Sequence, residues 1–175
     1  MASYSSPVYW LALIISLAAC SGTSTETTVG SELDSERTEM AEETQEETIE
    51  SVINAYISIK NALVKSNAES AQAGAVKLLS VVDATNMPEV QQKTKEMAAV
   101  KGLDSLRSRF DSLSVALYDQ VKAHPDSSQT LYKMYCPMAF NNRGAFWLSN
   151  EQKIENPYFG DEMLTCGRVE EEITF

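Results

Sequence analysis

Four sulfur-bearing side chains in the carboxy-terminal part of the chain form two pairs, Cys136 with Met138 and Met163 with Cys166. Residues two apart share one face of an extended strand, and residues three apart share one face of a turn or helix. Thiolates and thioethers are soft ligands, which suit Cu(I) or Ag(I) better than Mg²⁺ or Ca²⁺. If the fold brings the four sulfurs together, we expect them to bind a soft metal ion.

The same two cysteines support a second interpretation. In an exported protein, Cys136 and Cys166 are an even pair of thiols that an oxidising compartment converts to a disulfide. Such a bridge closes a loop of about thirty residues and adds roughly 3–4 kcal/mol on the chain-entropy model. Met138 and Met163 would then be core filler. The sequence leaves both interpretations open. The two states can also alternate, with a reduced cysteine pair that binds metal and an oxidised pair that does not.

The amino-terminal residues have the pattern of an export signal. Residues 1–20 carry no charged side chain, and the apolar run that begins at Val8 has the length of a signal-peptide h-region. Its exit, Leu17-Ala18-Ala19-Cys20, resembles the lipobox of bacterial lipoproteins, in which the signal is cut before a cysteine that carries lipid. We therefore expect a signal peptide over 1–19 and lipidation of Cys20. Because no Lys or Arg precedes the run, an ordinary secretory signal and an uncleaved anchor remain alternatives.

The net charge of −11 is concentrated in one segment. Residues 21–50 hold ten acidic residues and one basic residue, whereas 51–175 are nearly balanced. Residues 20–48, with the lipidated cysteine at their start, read as a flexible acidic tether, since so few large apolar side chains cannot offset the entropy of ordering. A nearly neutral domain lacks the basic face that phosphate binding needs, which argues against nucleic acid as a partner.

Residues 49–175 are predicted to form one mainly α domain. Apolar side chains recur at helical spacing in four segments, which start near Thr48, at Asn67 as a cap, at Pro88 and at Leu103. Short connections favour an antiparallel bundle of four helices, or of three if the polar third segment is not helical. Residues 132–159 hold half of the aromatic side chains, and we expect a small irregular cap from about residue 130 onward, with a short β-hairpin. Extended pieces are expected around Met134, Phe146–Leu148 and Met163.

The cap carries the sequence Met134-Tyr135-Cys136-Pro137-Met138-Ala139-Phe140-Asn141-Asn142, then Gly144-Ala145-Phe146-Trp147-Leu148, then Ile154 to Gly167. This pattern resembles a bacterial domain of unknown function that also occurs at the end of periplasmic adaptor subunits of heavy-metal efflux pumps of the resistance-nodulation-division class. The resemblance covers about 49–172. It implies an association with copper or silver export, and it does not by itself transfer a function.

The first functional hypothesis is an exported, lipid-anchored accessory protein that binds Cu(I) or Ag(I) and works with an efflux-pump adaptor or another envelope protein. We expect it at the periplasmic face of the outer membrane. The second is a disulfide-stapled module that binds an envelope protein and no metal. No nucleophile elbow, phosphate loop or metalloprotease motif occurs, so no enzyme is predicted.

Overall fold

The computed structural model of the chain describes residues 49–82, 87–124 and 128–175. The predicted signal peptide, Cys20 and the acidic tether lie outside the described residues. The described part is mainly helical, with four helices followed by a three-stranded antiparallel sheet. None of the helices in this part is both long and apolar enough to cross a membrane.

The four helices follow the apolar periodicity of the sequence. Helix α1 covers residues 49–64, α2 Ala68–Val81, α3 Pro88–Ala98 and α4 Leu103–Ala123. The predicted helix starts are confirmed at Asn67, whose side chain accepts a hydrogen bond of 2.9 Å from Ser70 N, and at Pro88 in the first turn of α3. The polar third segment is therefore a helix. The antiparallel bundle stays a prediction.

Tyr56 joins the helices to the sheet. Its ring is fully buried and stacks on Phe110 of α4 with centroids 4.8 Å apart. Its hydroxyl contacts Ser114 Oγ at 2.6 Å and accepts a hydrogen bond of 3.1 Å from Leu148 N. Burial raises its pKa, because the phenolate would lose hydration. One side chain thus links α1, α4 and the sheet, which fixes the cap against the helices.

The sheet consists of β1 (Leu131–Cys136), β2 (Ala145–Ser149) and β3 (Arg168–Ile173), in the order β2-β1-β3. Strands β1 and β2 form the expected hairpin, with Cys136 opposite Ala145. They are joined by a helical turn at Ala139–Asn142. A bulge between Lys133 and Met134 interrupts the pairing of β1 with β3.

The expectation of an extended piece around Met163 is wrong. Residues Gly160–Glu162 form a 3-10 turn, and Met163 follows it in a further turn. The third strand begins instead at Arg168, in a Glu-rich segment for which no strand was expected. Pairing with β1 places this strand. Tyr118 and Lys122 of α4 hold it from the helical side, since both bind Glu171, at 2.7 and 2.8 Å.

Candidate functional site

The two cysteines of the cap lie in direct contact. Cys136 Sγ and Cys166 Sγ are 2.9 Å apart, although thirty residues separate them in the sequence. Both are free thiols, with Cys136 fully buried and Cys166 half-buried. A disulfide needs about 2.05 Å, and two thiolates on one ion need roughly 4 Å, from metal–sulfur distances of about 2.3 Å. The observed separation lies between these values.

Cys136 is placed by the sheet. It is the last residue of β1, and the same buried face carries Met134 two residues earlier. The strand ends here, so Met138 has a helical backbone conformation, with φ −88° and ψ −13°. The extended conformation expected for residues 136–138 is therefore wrong, and the Met138 side chain is 47% exposed. A ligand role for Met138 stays a prediction.

Cys166 is placed by a turn and by Asn156. Its backbone N–H donates to Met163 O at 3.1 Å, so the expected turn between these residues is present. Met163 is half-buried. The fully buried Asn156 donates from its side-chain Nδ2 to Cys166 O at 2.7 Å and from its backbone to Leu164 O at 2.8 Å. These bonds hold the turn beside the end of β1, where Cys136 lies.

Asn156 also organises the loop that follows it. Its Oδ1 accepts hydrogen bonds from Tyr158 N at 2.8 Å and from Phe159 N at 3.3 Å. The sequence analysis did not identify this role of Asn156. The Asn-Pro pair was the available signal, because an Asn side chain that bonds the backbone two residues on forms an Asx turn.

Trp147 packs beside the cysteines. Its ring reaches Gly167, where a Cβ atom would lie 3.0 Å from Trp147 Cη2. The indole Nε1 is buried and has no hydrogen-bond partner among the described residues. An unpaired buried donor costs about 1–3 kcal/mol. The packing of the Trp147 ring must therefore stabilise the fold by more than this cost.

The thiols are not arranged as an activated nucleophile. The hydrogen bond to Cys136, followed by burial, raises the pKa of Cys166 to about 11. A catalytic cysteine needs a depressed pKa and a basic neighbour. His124, the single histidine, lies at the end of α4, where its Nδ1 contacts Gln120 O at 2.9 Å.

The two thiols do not belong to a larger cluster of metal-binding side chains among the described residues. Within residues 49–82, 87–124 and 128–175, no three His, Cys, Asp or Glu side chains are grouped closely enough to hold a metal ion. Zinc and calcium sites are usually built from such groups. An ion bound at Cys136 and Cys166 would thus rely mainly on the two thiolates, which fits a soft ion of low coordination number.

Comparison with known proteins identifies one family model. Residues 52–129 match the model described as Protein of unknown function (DUF3347). The matched range covers most of α1 and all of α2 to α4, and it ends before β1, so it does not include either cysteine of the cap. No curated protein and no solved structure matches the chain.

Proposed function

We propose that Cys136 and Cys166 bind a soft metal ion, Cu(I) or Ag(I), in an exported, lipid-anchored accessory protein associated with heavy-metal efflux. The observation that carries the proposal is the 2.9 Å contact between the two sulfurs. A soft monovalent ion is satisfied by two thiolates, which the fold supplies from β1 and from the Met163–Cys166 turn.

Binding requires only a local change. The sulfurs must separate by about 1 Å to hold one ion at roughly 2.3 Å from each. Cys136 is fixed in the sheet, whereas Cys166 lies in a turn outside the strands, so the turn is the element that moves. Met163 starts that turn and Met138 lies two residues beyond Cys136; both are candidates for additional thioether ligands.

A structural disulfide is the second candidate function, because Cys136 is completely buried in the core. Structural bridges usually occupy such positions, and the sulfurs need to approach by roughly 0.9 Å to reach bonding distance. In this case the cap is a stapled module that binds an envelope protein through its aromatic side chains, with no metal.

Titration of the reduced protein with Cu(I) against a competing chelator tests the first candidate. We expect one ion per chain, with binding lost in the Cys136→Ser/Cys166→Ser variant. Met138→Leu and Met163→Leu should weaken binding if these residues are ligands, and Met134→Leu is the matched control because Met134 is a buried methionine of β1 outside the proposed set. Equal uptake by wild type and the double serine variant would end the proposal.

Thiol counting on protein isolated from the envelope separates the two candidates. Two reactive thiols after denaturation without reductant favour the metal site, and none favours the stable bridge. Lipidation of Cys20 is tested independently by labelling cells with a radioactive fatty acid; a Cys20→Ala variant that keeps the label would contradict the proposed anchor.

A further inference from the structure

A cavity of about 430 Å³ lies between α4 and the cap. One wall is formed by α4 and the other by the turn after β1 and the loop after Asn156; six of the residues that line it are Asp104, Arg107, Ser108, Phe140, Asn141 and Phe159. The volume is in the range of small-molecule sites, which are mostly apolar with a few placed polar groups. Neither cysteine lines it.

Arg107 is a buried cation at this cavity, with only 8% of its surface exposed. Its Nε donates to Pro157 O at 3.0 Å and its Nη2 donates to Ser66 Oγ at 3.2 Å. These bonds fix the plane of the guanidinium. Gly160 packs against the same group, since a Cβ atom there would lie 2.9 Å from Nη2. Nη1 has no hydrogen bond within the described residues.

Within the part of the chain that the structure describes, the positive charge of Arg107 has no partner carboxylate. None of the ion pairs among the described residues includes it. Burial lowers its pKa, and the charges of Asp104 and Glu162 oppose that effect without direct contact. An uncompensated buried charge is strongly unfavourable, and bound anions relieve this cost. The two guanidinium nitrogens that form hydrogen bonds, Nε and Nη2, each donate to a neutral oxygen.

The opposite wall is aromatic and conformationally strained. Phe140 and Asn141 both have left-handed backbone conformations, with φ of 50° and 57°. This conformation costs about 1–2 kcal/mol for a residue with a side chain. It places Phe140 edge-on to Tyr158, with centroids 5.2 Å apart, and beneath the guanidinium of Arg143 at 4.9 Å. The exposed amide of Asn141 supplies a further hydrogen-bonding group.

From this arrangement we propose that the cavity is a binding site for a small monocarboxylate with an aromatic body. The carboxylate binds Arg107 and the side chains of Ser108 and Asn141, and the ring packs against Phe140 and Phe159. One buried cation with the carboxylate of Asp104 at the rim favours a single negative charge over a doubly charged phosphate. The site is separate from the sulfur pair and does not depend on its function.

Calorimetric titration of the full chain with phenylacetate tests the proposal. We expect saturable 1:1 binding, with 2-phenylethanol, the neutral analogue, and inorganic phosphate each at least tenfold weaker. Arg107→Met should reduce phenylacetate affinity at least tenfold. Arg109→Met is the matched control, because it removes an exposed arginine of the same helix that does not line this cavity.

Arg107→Met also removes two hydrogen bonds, so a second variant keeps the test decisive if that protein does not fold. Ser108→Trp fills the cavity from an exposed position of α4 and leaves both bonds of Arg107 in place. We expect it to abolish phenylacetate binding. The absence of saturable phenylacetate binding to wild type, unchanged binding in Ser108→Trp, or phosphate binding as tight as phenylacetate would overturn the proposal.

Discussion

The side-chain amide of Asn156 donates a hydrogen bond to the carbonyl oxygen of Cys166 at 2.7 Å, ten residues further along the chain. The thiol of Cys166 contacts that of Cys136, which belongs to β1. The bond from Asn156 therefore helps to hold a loop against the sheet. A buried asparagine therefore determines where one of the two candidate ligands lies. Its side chain makes two further bonds, to the backbone of Tyr158 and Phe159.

Asn156→Ala should destabilise the protein by about 2–4 kcal/mol, because three hydrogen bonds are lost and buried backbone groups remain unpaired. The control is Asn150→Ala at an exposed position, which should change stability by less than about 0.5 kcal/mol. Urea denaturation of the reduced proteins gives both values. A cost for Asn156→Ala as small as that of the control would show that the loop does not depend on this side chain.

Ser66 has a strained backbone conformation, and its hydroxyl forms a hydrogen bond with Arg107. It lies in the turn after α1 with φ 51°, and its Oγ accepts the bond from Arg107. Both Ser66→Gly and Ser66→Ala lose the hydrogen bond, but glycine also removes the left-handed strain of about 1–2 kcal/mol. We expect Ser66→Gly to be more stable than Ser66→Ala by about 1 kcal/mol in thermal and urea unfolding. Equal stabilities would mean that the strain is absent in solution.

Glu171 should make folding stability depend on acid pH. Hydrogen bonds from Lys122 and then from Tyr118 lower the pKa of this carboxyl below its ordinary 4.5. Because the folded pKa is lowered, the stabilisation is present above pH 4.5 and is lost as the pH falls through the folded pKa. Glu171→Gln should remove this part of the pH dependence.

The measurement is urea denaturation at pH 7 and at steps from pH 5 to pH 3. Glu172→Gln is the matched control, since Glu172 is an exposed neighbour on β3. Wild type and Glu172→Gln should lose more stability on acidification than Glu171→Gln. Parallel curves for all three proteins would contradict the assignment.

Two glycines with similar φ angles should respond differently to substitution by alanine. Gly102 has φ 84° and Gly144 has φ 80°. A Cβ atom at Gly102 meets nothing within 4 Å, whereas at Gly144 it would overlap the Tyr135 hydroxyl and lie 2.7 Å from its Cζ. Gly102→Ala should cost about 1–3 kcal/mol from the backbone alone, because φ 84° with ψ 144° is a conformation that essentially only glycine adopts.

Gly144→Ala should cost at least about 1–2 kcal/mol more, the range for overpacking a filled site. Tyr135 would have to leave its place under the Arg168 guanidinium, now 4.7 Å from the ring centre. Thermal unfolding of both variants measures the difference. Equal costs would indicate that Tyr135 moves freely.

The sequence predicted those parts of the fold that local signals determine. Apolar spacing located all four helices, Asn67 and Pro88 marked two of their starts, and the aromatic segment around Phe146–Leu148 indicated a strand. These features depend on neighbours within a few residues. The spacing of sulfur residues likewise identified Cys136 and Cys166, which the fold brings into contact.

Features that depend on distant residues were missed. The segment Arg168–Ile173 is rich in charge and becomes a strand because β1 offers it a partner and α4 binds Glu171. The buried charge of Arg107 has no signature in the sequence, since its hydrogen-bond partners Ser66 and Pro157 are 41 and 50 residues away. The expectation of an extended conformation at Met138 was wrong because β1 ends two residues earlier, whereas its ligand role stays a prediction.

Among the residues that the structure describes, the strand order β2-β1-β3 gives β3 a partner, β1, on one side only. Its other side presents backbone groups that a strand from a second molecule can bind, which is a common route to aggregation. Arg168, Glu170 and Glu172 alternate along this strand and are exposed, and Glu170 is the extra residue of the bulge, without a partner in β1, so it disturbs the regular ladder. The charged residues made this segment difficult to recognise as a strand from the sequence. The same charges protect the protein from forming continuous sheets when many copies are crowded together.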